Sequence, residues 1–251
     1  LKYNFFLKFK KYSKWYSLHM LNLQIFDFVD KYLIKVFIGP AALAIYSIPY
    51  QLAGKLTILS KSISAVLLPE ISFSSEKTNF NHSLNIFAFF IPVFILIIFP
   101  SLDKILILWL QDQYSVKILE LTKIFLIVAW VSGISHILIT YFEAKKKIKF
   151  NTILELYFLI PFLLLLSFVL FESKNLVLIS FVLLFKECML IVFRTNKLKK
   201  KIDFVNLIYL NIFIVIINLI INMYYKEYFY YSITILILFN SYLLINKAFK
   251  K

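Results

Sequence analysis

The chain has 251 residues, 61% of them hydrophobic and 16% charged, with a mean hydropathy of +0.83, a balance that excludes a water-facing globular surface and makes lipid the solvent. Three glycines are too few for a phosphate cradle or a dinucleotide turn, and the lone Cys188, inside an apolar segment, excludes a disulfide framework and a thiolate metal site. The net charge of +15 is dispersed in short clusters between apolar stretches rather than gathered on one surface, which excludes a nucleic-acid groove.

Crossing the hydrocarbon takes about 20 mostly apolar residues, because the core is about 30 Å thick and a helix rises about 1.5 Å per residue. Eight stretches qualify, predicting an all-α membrane protein, a polytopic transmembrane helical bundle of about eight spans. The first, residues 15–38, carries Asp27, Asp30, Lys31 and Lys35. Gly39-Pro40 then predicts a tight reversal, since proline disfavours helix at the residue before it. The second, 41–73, carries Lys55 and Lys61, and the third is 83–100. Residues 101–117 read as a loop whose apolar run, 105–110, dips toward the interface. Next come 118–142, the basic run of Lys145, Lys146, Lys147 and Lys149, then 150–171 with Glu155, and 176–193 with Lys186-Glu187. A basic break at 194–203 separates these six spans (domain 1–194) from a terminal unit, 195–251, with two more spans at 204–225 and 228–246.

Positively charged connectors stay in the cytoplasm. With eight spans, eighteen basic residues fall on the side of both termini (in 1–14, at Lys77, in the 145–149 run, in 194–201 and at the tail) against Lys104, Lys117, Lys174 and Lys226 opposite. Both termini are therefore expected in the cytoplasm. No connector is long enough for a separate soluble domain.

Within the first two spans stand Asp30-Lys31, Phe37-Ile38-Gly39-Pro40, Ala42-Leu43, Tyr46-Ser47, Tyr50 and Leu67-Leu68-Pro69-Glu70-Ile71. This pattern resembles the seventh and eighth helices of polysaccharide flippases, the Wzx-type branch of the multidrug/oligosaccharidyl-lipid/polysaccharide exporter superfamily. Ala44 stands where that family usually has glycine, and its small side chain still permits close helix approach. The resemblance is sharpest over residues 25–75, about a fifth of the chain. It implies the C-terminal lobe of an exporter fold plus two extra helices, with an N-terminal lobe preceding Leu1.

Charges inside a span cost about 2.5–3.5 kcal/mol each on insertion scales and so face protein or a wet cavity. Asp27, Lys31 and Lys35 recur every four residues and share one helix face with Asp30 beside them. At about 1.5 Å per residue, Asp27 lies about 18 Å from Trp15, near the bilayer centre. The candidate substrate-cavity residues are Asp27, Asp30, Lys31, Lys35, Lys55 and Lys61, the lysines attracting pyrophosphate or acidic sugars; an intrahelical ion-pair ladder is the structural alternative. Asp27, Asp30 and Glu155 are candidates for ion coupling, and His136 for proton handling. Gln24 and Gln51 are placed to hydrogen-bond sugars or neighbouring helices, Lys186-Glu187 to pair locally, and Asn211, Asn218 and Asn222, on one face, to join helices.

The expected function is transport rather than catalysis. By resemblance, the protein is a flippase moving undecaprenyl-pyrophosphate-linked oligosaccharide units across the bacterial inner membrane, with membrane lipids, a polysaccharide polymerase and chain-length machinery as partners and without cofactor, metal or nucleic acid. The alternatives are a cation or multidrug antiporter of the same superfamily, which lysines in the cavity oppose; a membrane-embedded polymerase, which the small external loops oppose; and an inactive remnant.

Overall fold

The computed structural model describes residues 2–73, 78–198 and 205–224. These form α1 (Lys2–Phe37), α2 (Pro40–Gly54), α3 (Thr57–Phe73), α4 (Thr78–Leu110), α5 (Val116–Ala144), α6 (Ile148–Glu172), α7 (Leu176–Leu198) and α8 (Val205–Tyr224), with a short 3-10 turn at Gln111–Gln113. Five stretches, Pro40–Phe73, Phe80–Gln113, Val116–Ala144, Ile148–Glu172 and Leu176–Leu198, are long and apolar enough to cross a membrane. The chain is an all-α polytopic membrane protein. α1 is 36 residues long but is interspersed with charge, and the apolar part of α8, Ile208–Ile220, is shorter than a span. Five spans are thus found among the described residues where eight are expected, and the expected span at 228–246 lies outside those residues.

The reversal at Gly39 forms as expected. Its φ of 121° belongs to glycine, the N–H groups of Ile38 and Gly39 both bond to Ile34 O, and Pro40 opens α2 where its missing donor costs nothing. Elsewhere the structure departs from the apolar pattern. The expected span 41–73 breaks at Gly54, where Lys55 N and Leu56 N bond three residues back to Leu52 O (3.2 Å) and Ala53 O (3.0 Å). The Thr57 hydroxyl donates to Gly54 O at 2.7 Å, satisfying a carbonyl that the break releases. The expected loop 101–117 is mostly helix: α4 continues through Pro100 because Leu102 and Leu106 are buried against Ile118 and Leu119 of α5, leaving a connector of only 111–115. Arg194, read as part of a basic loop, lies inside α7.

α5 is the hub. It is mostly apolar and mostly buried, and it packs against α2, α3, α4, α6, α7 and α8. One core joins it to α3, α4, α7 and α8 around Trp130, Phe87, Leu96 and Ile134; another joins its opposite side to α1, α2, α6 and α7 around Phe125, Tyr46, Phe26 and Phe162. Gly133 sets the approach of α4, since a Cβ there would lie 2.4 Å from Phe87 Cζ. Pro92 cannot donate to Ala88 O, and Asn211 Nδ2 of α8 bonds to that carbonyl at 2.8 Å. The outward faces are apolar and exposed: Tyr157, Leu164 and Phe168 of α6 and Phe28 and Tyr32 of α1 present rings and aliphatic groups to lipid.

Candidate functional site

The buried stripe of α1 runs His19, Asn22, Phe26, Asp30, Ile34, with spacings of three and four that place all five on one face. It enters the bundle polar and leaves it apolar. Where the stripe passes α5, a cavity of about 640 Å³ opens, walled by α1, α2, α3, α5, α6 and α7. Its polar lining comprises Gln24, Asp27 and Asp30 with His19 on α1, Tyr50 on α2, Thr57, Lys61 and Ser64 on α3, Ser132, Ser135, His136, Thr140 and Glu143 on α5, Glu155 on α6, and Lys186, Glu187 and Arg194 on α7.

Of the residues singled out from sequence, Asp27, Asp30, Lys61, Glu155, Gln24, His136, Lys186 and Glu187 line this cavity. Asp30 is buried, receiving the Tyr46 hydroxyl at 2.6 Å on Oδ2 and Lys31 N–H at 2.8 Å on Oδ1. Asp27 receives the Tyr50 hydroxyl at 3.2 Å. These two parallel tyrosine–aspartate bonds clamp α2 to α1.

Lys31, Lys35, Lys55 and Gln51 are not in the lining. Lys31 is spent on its own wall: Nζ donates to Asp27 O, stands 3.8 Å from Asp30 Oδ1 and lies 3.6 Å from the centre of the Tyr50 ring. Lys35, exposed in the last turn of α1, complements that helix's C-terminal dipole. Lys55 is exposed at the α2–α3 break. The lining carries both signs of charge. Asp30 with Lys31, Glu187 with Lys186 (3.0 Å) and Glu155 with Arg194 (2.8 Å) compensate in pairs, leaving Asp27 and Glu143 against Lys61.

Comparison with known proteins fits the membrane fold. The chain is similar to an O-antigen transporter by name. That protein, from Shigella flexneri and named "Putative O-antigen transporter", is 24% identical over 171 residues, covering 66% of this chain and 41% of that protein. The chain thus spans less than half the length of the relative it matches. No family model matches it, and no solved structure does.

The most densely bonded part of the lining contains residues that the sequence reading passed over. Arg194, 2% exposed, donates through Nε to Asn151 Oδ1 (2.7 Å), through Nη1 to Ser135 Oγ (2.9 Å) and through Nη2 to Glu155 Oε1 (2.8 Å). Asn151 Nδ2 also donates to Glu155 Oε1 at 2.8 Å, and His19 Nδ1 lies 2.7 Å from Oε2. A buried ion pair is tolerable when its remaining donors and acceptors are met, as here. Glu155 and Asn151, four apart on α6, were findable as one face; His19 and Asp30, eleven apart on α1, share another. Arg194 was masked by its membership of a lysine-rich run. Among the described residues no group of three or more His, Cys, Asp or Glu side chains is arranged to hold a metal ion.

Proposed function

We propose that the chain forms one lobe of a flippase that carries undecaprenyl-pyrophosphate-linked oligosaccharide units across the bacterial inner membrane, with the sugar head group in the cavity and the lipid tail in the bilayer. One observation carries this reading: a cavity of about 640 Å³ among the membrane helices, largely apolar but with polar groups contributed by six of them, is large enough for sugar rings and holds groups that bond hydroxyls. The similarity to a named O-antigen transporter and the resemblance over residues 25–75 support the substrate class. In this reading residues 1–194 form the lobe, 195–251 append to it, and the lysine-rich connectors face the cytoplasm. A second lobe completes the pathway, the two rock to alternate access, and a polysaccharide polymerase with its chain-length machinery takes up the product. The chain itself breaks no covalent bond.

The test is complementation of cells lacking their own flippase with the full-length gene. Asp27→Asn and Lys61→Ala, which change cavity-lining groups, are expected to lower surface polysaccharide at normal protein levels, whereas Lys55→Ala, outside the cavity, leaves it unchanged. Equal output from all three removes the cavity from the transport route.

A specific observation favours a second reading, a cation or multidrug antiporter. With Lys31, Lys35 and Lys55 outside the lining, Lys61 is the one cation among the described lining residues without an ion-pair partner, and it stands against Asp27 and Glu143, so electrostatic repulsion of cationic cargo is weak. Loss of resistance to cationic compounds with unaltered polysaccharide would decide for that alternative.

A further inference from the structure

Charge is distributed differently at the two ends of the bundle. At the end that holds the α4–α5 and α6–α7 connectors, Asp103, Asp112, Glu120 and Glu172 stand against Lys35, Lys104, Lys117 and Lys174 among the described residues, an even match. At the opposite end six lysines are exposed: Lys10 and Lys14 on α1, Lys146 and Lys147 in the α5–α6 turn, Lys149 on α6 and Lys197 on α7. None of the six has an ion-pair partner among the described residues, and the carboxyl side chains at that end are the half-buried Glu70 and Glu143. Lys145, by contrast, is spent inside the protein, where Nζ donates to Ile71 O at 2.6 Å.

Two of the six are held on aromatic platforms. Lys149 Nζ lies 5.3 Å from the centre of the Trp15 ring of α1, and Lys197 Nζ lies 5.4 Å from the centre of the Phe150 ring, both within reach of cation–π attraction. Lys149 and Phe150 are neighbours, so these contacts bring ammonium groups from α6 and α7 together at the first turn of α6, with the indole of α1 alongside. Neither ammonium donates a hydrogen bond to an acceptor among the described residues. Immediately inward the surface turns apolar. Phe193, one turn before Lys197, is exposed and packs edge-on against Phe158 of α6 with ring centres 5.3 Å apart, and Tyr16 and Met20 are exposed just beyond Trp15. The lysines therefore stand at the rim of the lipid-facing belt, the level of the headgroups.

We propose that the first turn of α6 is a binding site for an anionic phospholipid, whose phosphate is held by the Lys149 and Lys197 ammonium groups and whose acyl chain lies along the Phe158–Phe193 contact. Charge complementarity selects the headgroup. Phosphatidylcholine carries its own cation, which the lysines repel, whereas phosphatidylglycerol presents an uncompensated phosphate; each lysine near the surface favours the anionic lipid by roughly fivefold. The apolar rim selects a lipid over a soluble anion, because a free phosphate meets the charge alone while a lipid also keeps its chain against the exposed rings. Since Lys149 and Lys197 belong to different helices, one headgroup bridges α6 to α7 and rests beside Trp15 of α1.

Trp15 supplies the reporter. The full chain is reconstituted in phosphatidylcholine vesicles in which a minor fraction of the lipid, about one in ten, is brominated phosphatidylglycerol or, in the parallel sample, brominated phosphatidylcholine. Quenching at the site is the part of the fluorescence loss that Trp15→Phe removes. No cargo is present, so failure of the transport reading leaves this test intact. Brominated phosphatidylglycerol is expected to quench Trp15 about threefold or more as strongly as brominated phosphatidylcholine, the enrichment that a fivefold preference gives at that dilution. Lys149→Gln with Lys197→Gln removes the difference; both side chains are exposed, so the variant does not depend on a core bond for folding. Lys104→Gln with Lys117→Gln, at the other end, leaves it unchanged. Inorganic phosphate, with ionic strength matched by chloride, also leaves it unchanged. Equal quenching by the two lipids, a preference that survives loss of Lys149 and Lys197, or displacement of phosphatidylglycerol by inorganic phosphate overturns the proposal.

Discussion

Replacing Arg194 with alanine tests whether the buried network holds the bundle together or merely decorates it. The substitution removes donors to Asn151, Ser135 and Glu155 at once and leaves the carboxyl of Glu155, 1% exposed, with His19 and Asn151 as its remaining side-chain partners among the described residues. Breaking one side of a buried pair costs about 3–5 kcal/mol, since the orphaned charge keeps its desolvation penalty. A chain of this size loses about 2–4 °C of Tm per kcal/mol, so the midpoint should fall by roughly 6–20 °C. Thermal unfolding in detergent, followed by exposure of Cys188 to a thiol-reactive dye, measures it. The Arg194→Met, Glu155→Gln double variant removes both charges and is expected to recover at least half of the loss. A single variant within 2 °C of the parent, or a double variant less stable than the single, would refute the reasoning.

Further outcomes follow from individual contacts. Gly133→Ala drives a methyl into the Phe87 ring and is expected to cost about 1–3 kcal/mol by the same melting assay. Asn211→Leu strands the Ala88 carbonyl that Pro92 already deprives of its helical donor; it should cost about 1–3 kcal/mol in the parent and little when Pro92 is also changed to Ala, which restores that donor. Tyr114, beyond the end of α4, donates to Asp103, and chiefly that bond pushes its phenol up to about 12. Because the folded value is raised, the contact stabilises the protein in full below about pH 10 and loses its contribution as pH rises from 10 to 12. A tyrosinate absorbance titration should show one phenol shifting to lower pH in Asp103→Asn.

The long apolar stretches determined by themselves that the chain is helical and lives in lipid, because a backbone with no water partners must satisfy its own polar groups within each segment. Gly39-Pro40 likewise determined the α1–α2 reversal: a left-handed glycine and a donor-less proline act on their own backbone, so neighbours do not have to be known. Asp27 and Asp30 were legible as wall residues from the cost of a charge in a span.

What stayed hidden depended on partners distant in the chain. α4 runs past Pro100 only because Leu102 and Leu106 meet the start of α5, and the break after Gly54 is made tolerable by a hydroxyl three residues on. Lys31 and Lys55 matched the cavity pattern as well as Lys61 did, yet a tyrosine ring from α2 takes up one and the helix break turns away the other. Arg194 reads as one more cation in a cytoplasmic run; its burial is decided by Glu155, 39 residues earlier, and by the helices that bring Asn151 and Ser135 around it. Local pattern specifies which segments are helices and which faces are apolar, but a charge's fate depends on the counter-charge that packing delivers, and only the assembled bundle decides that.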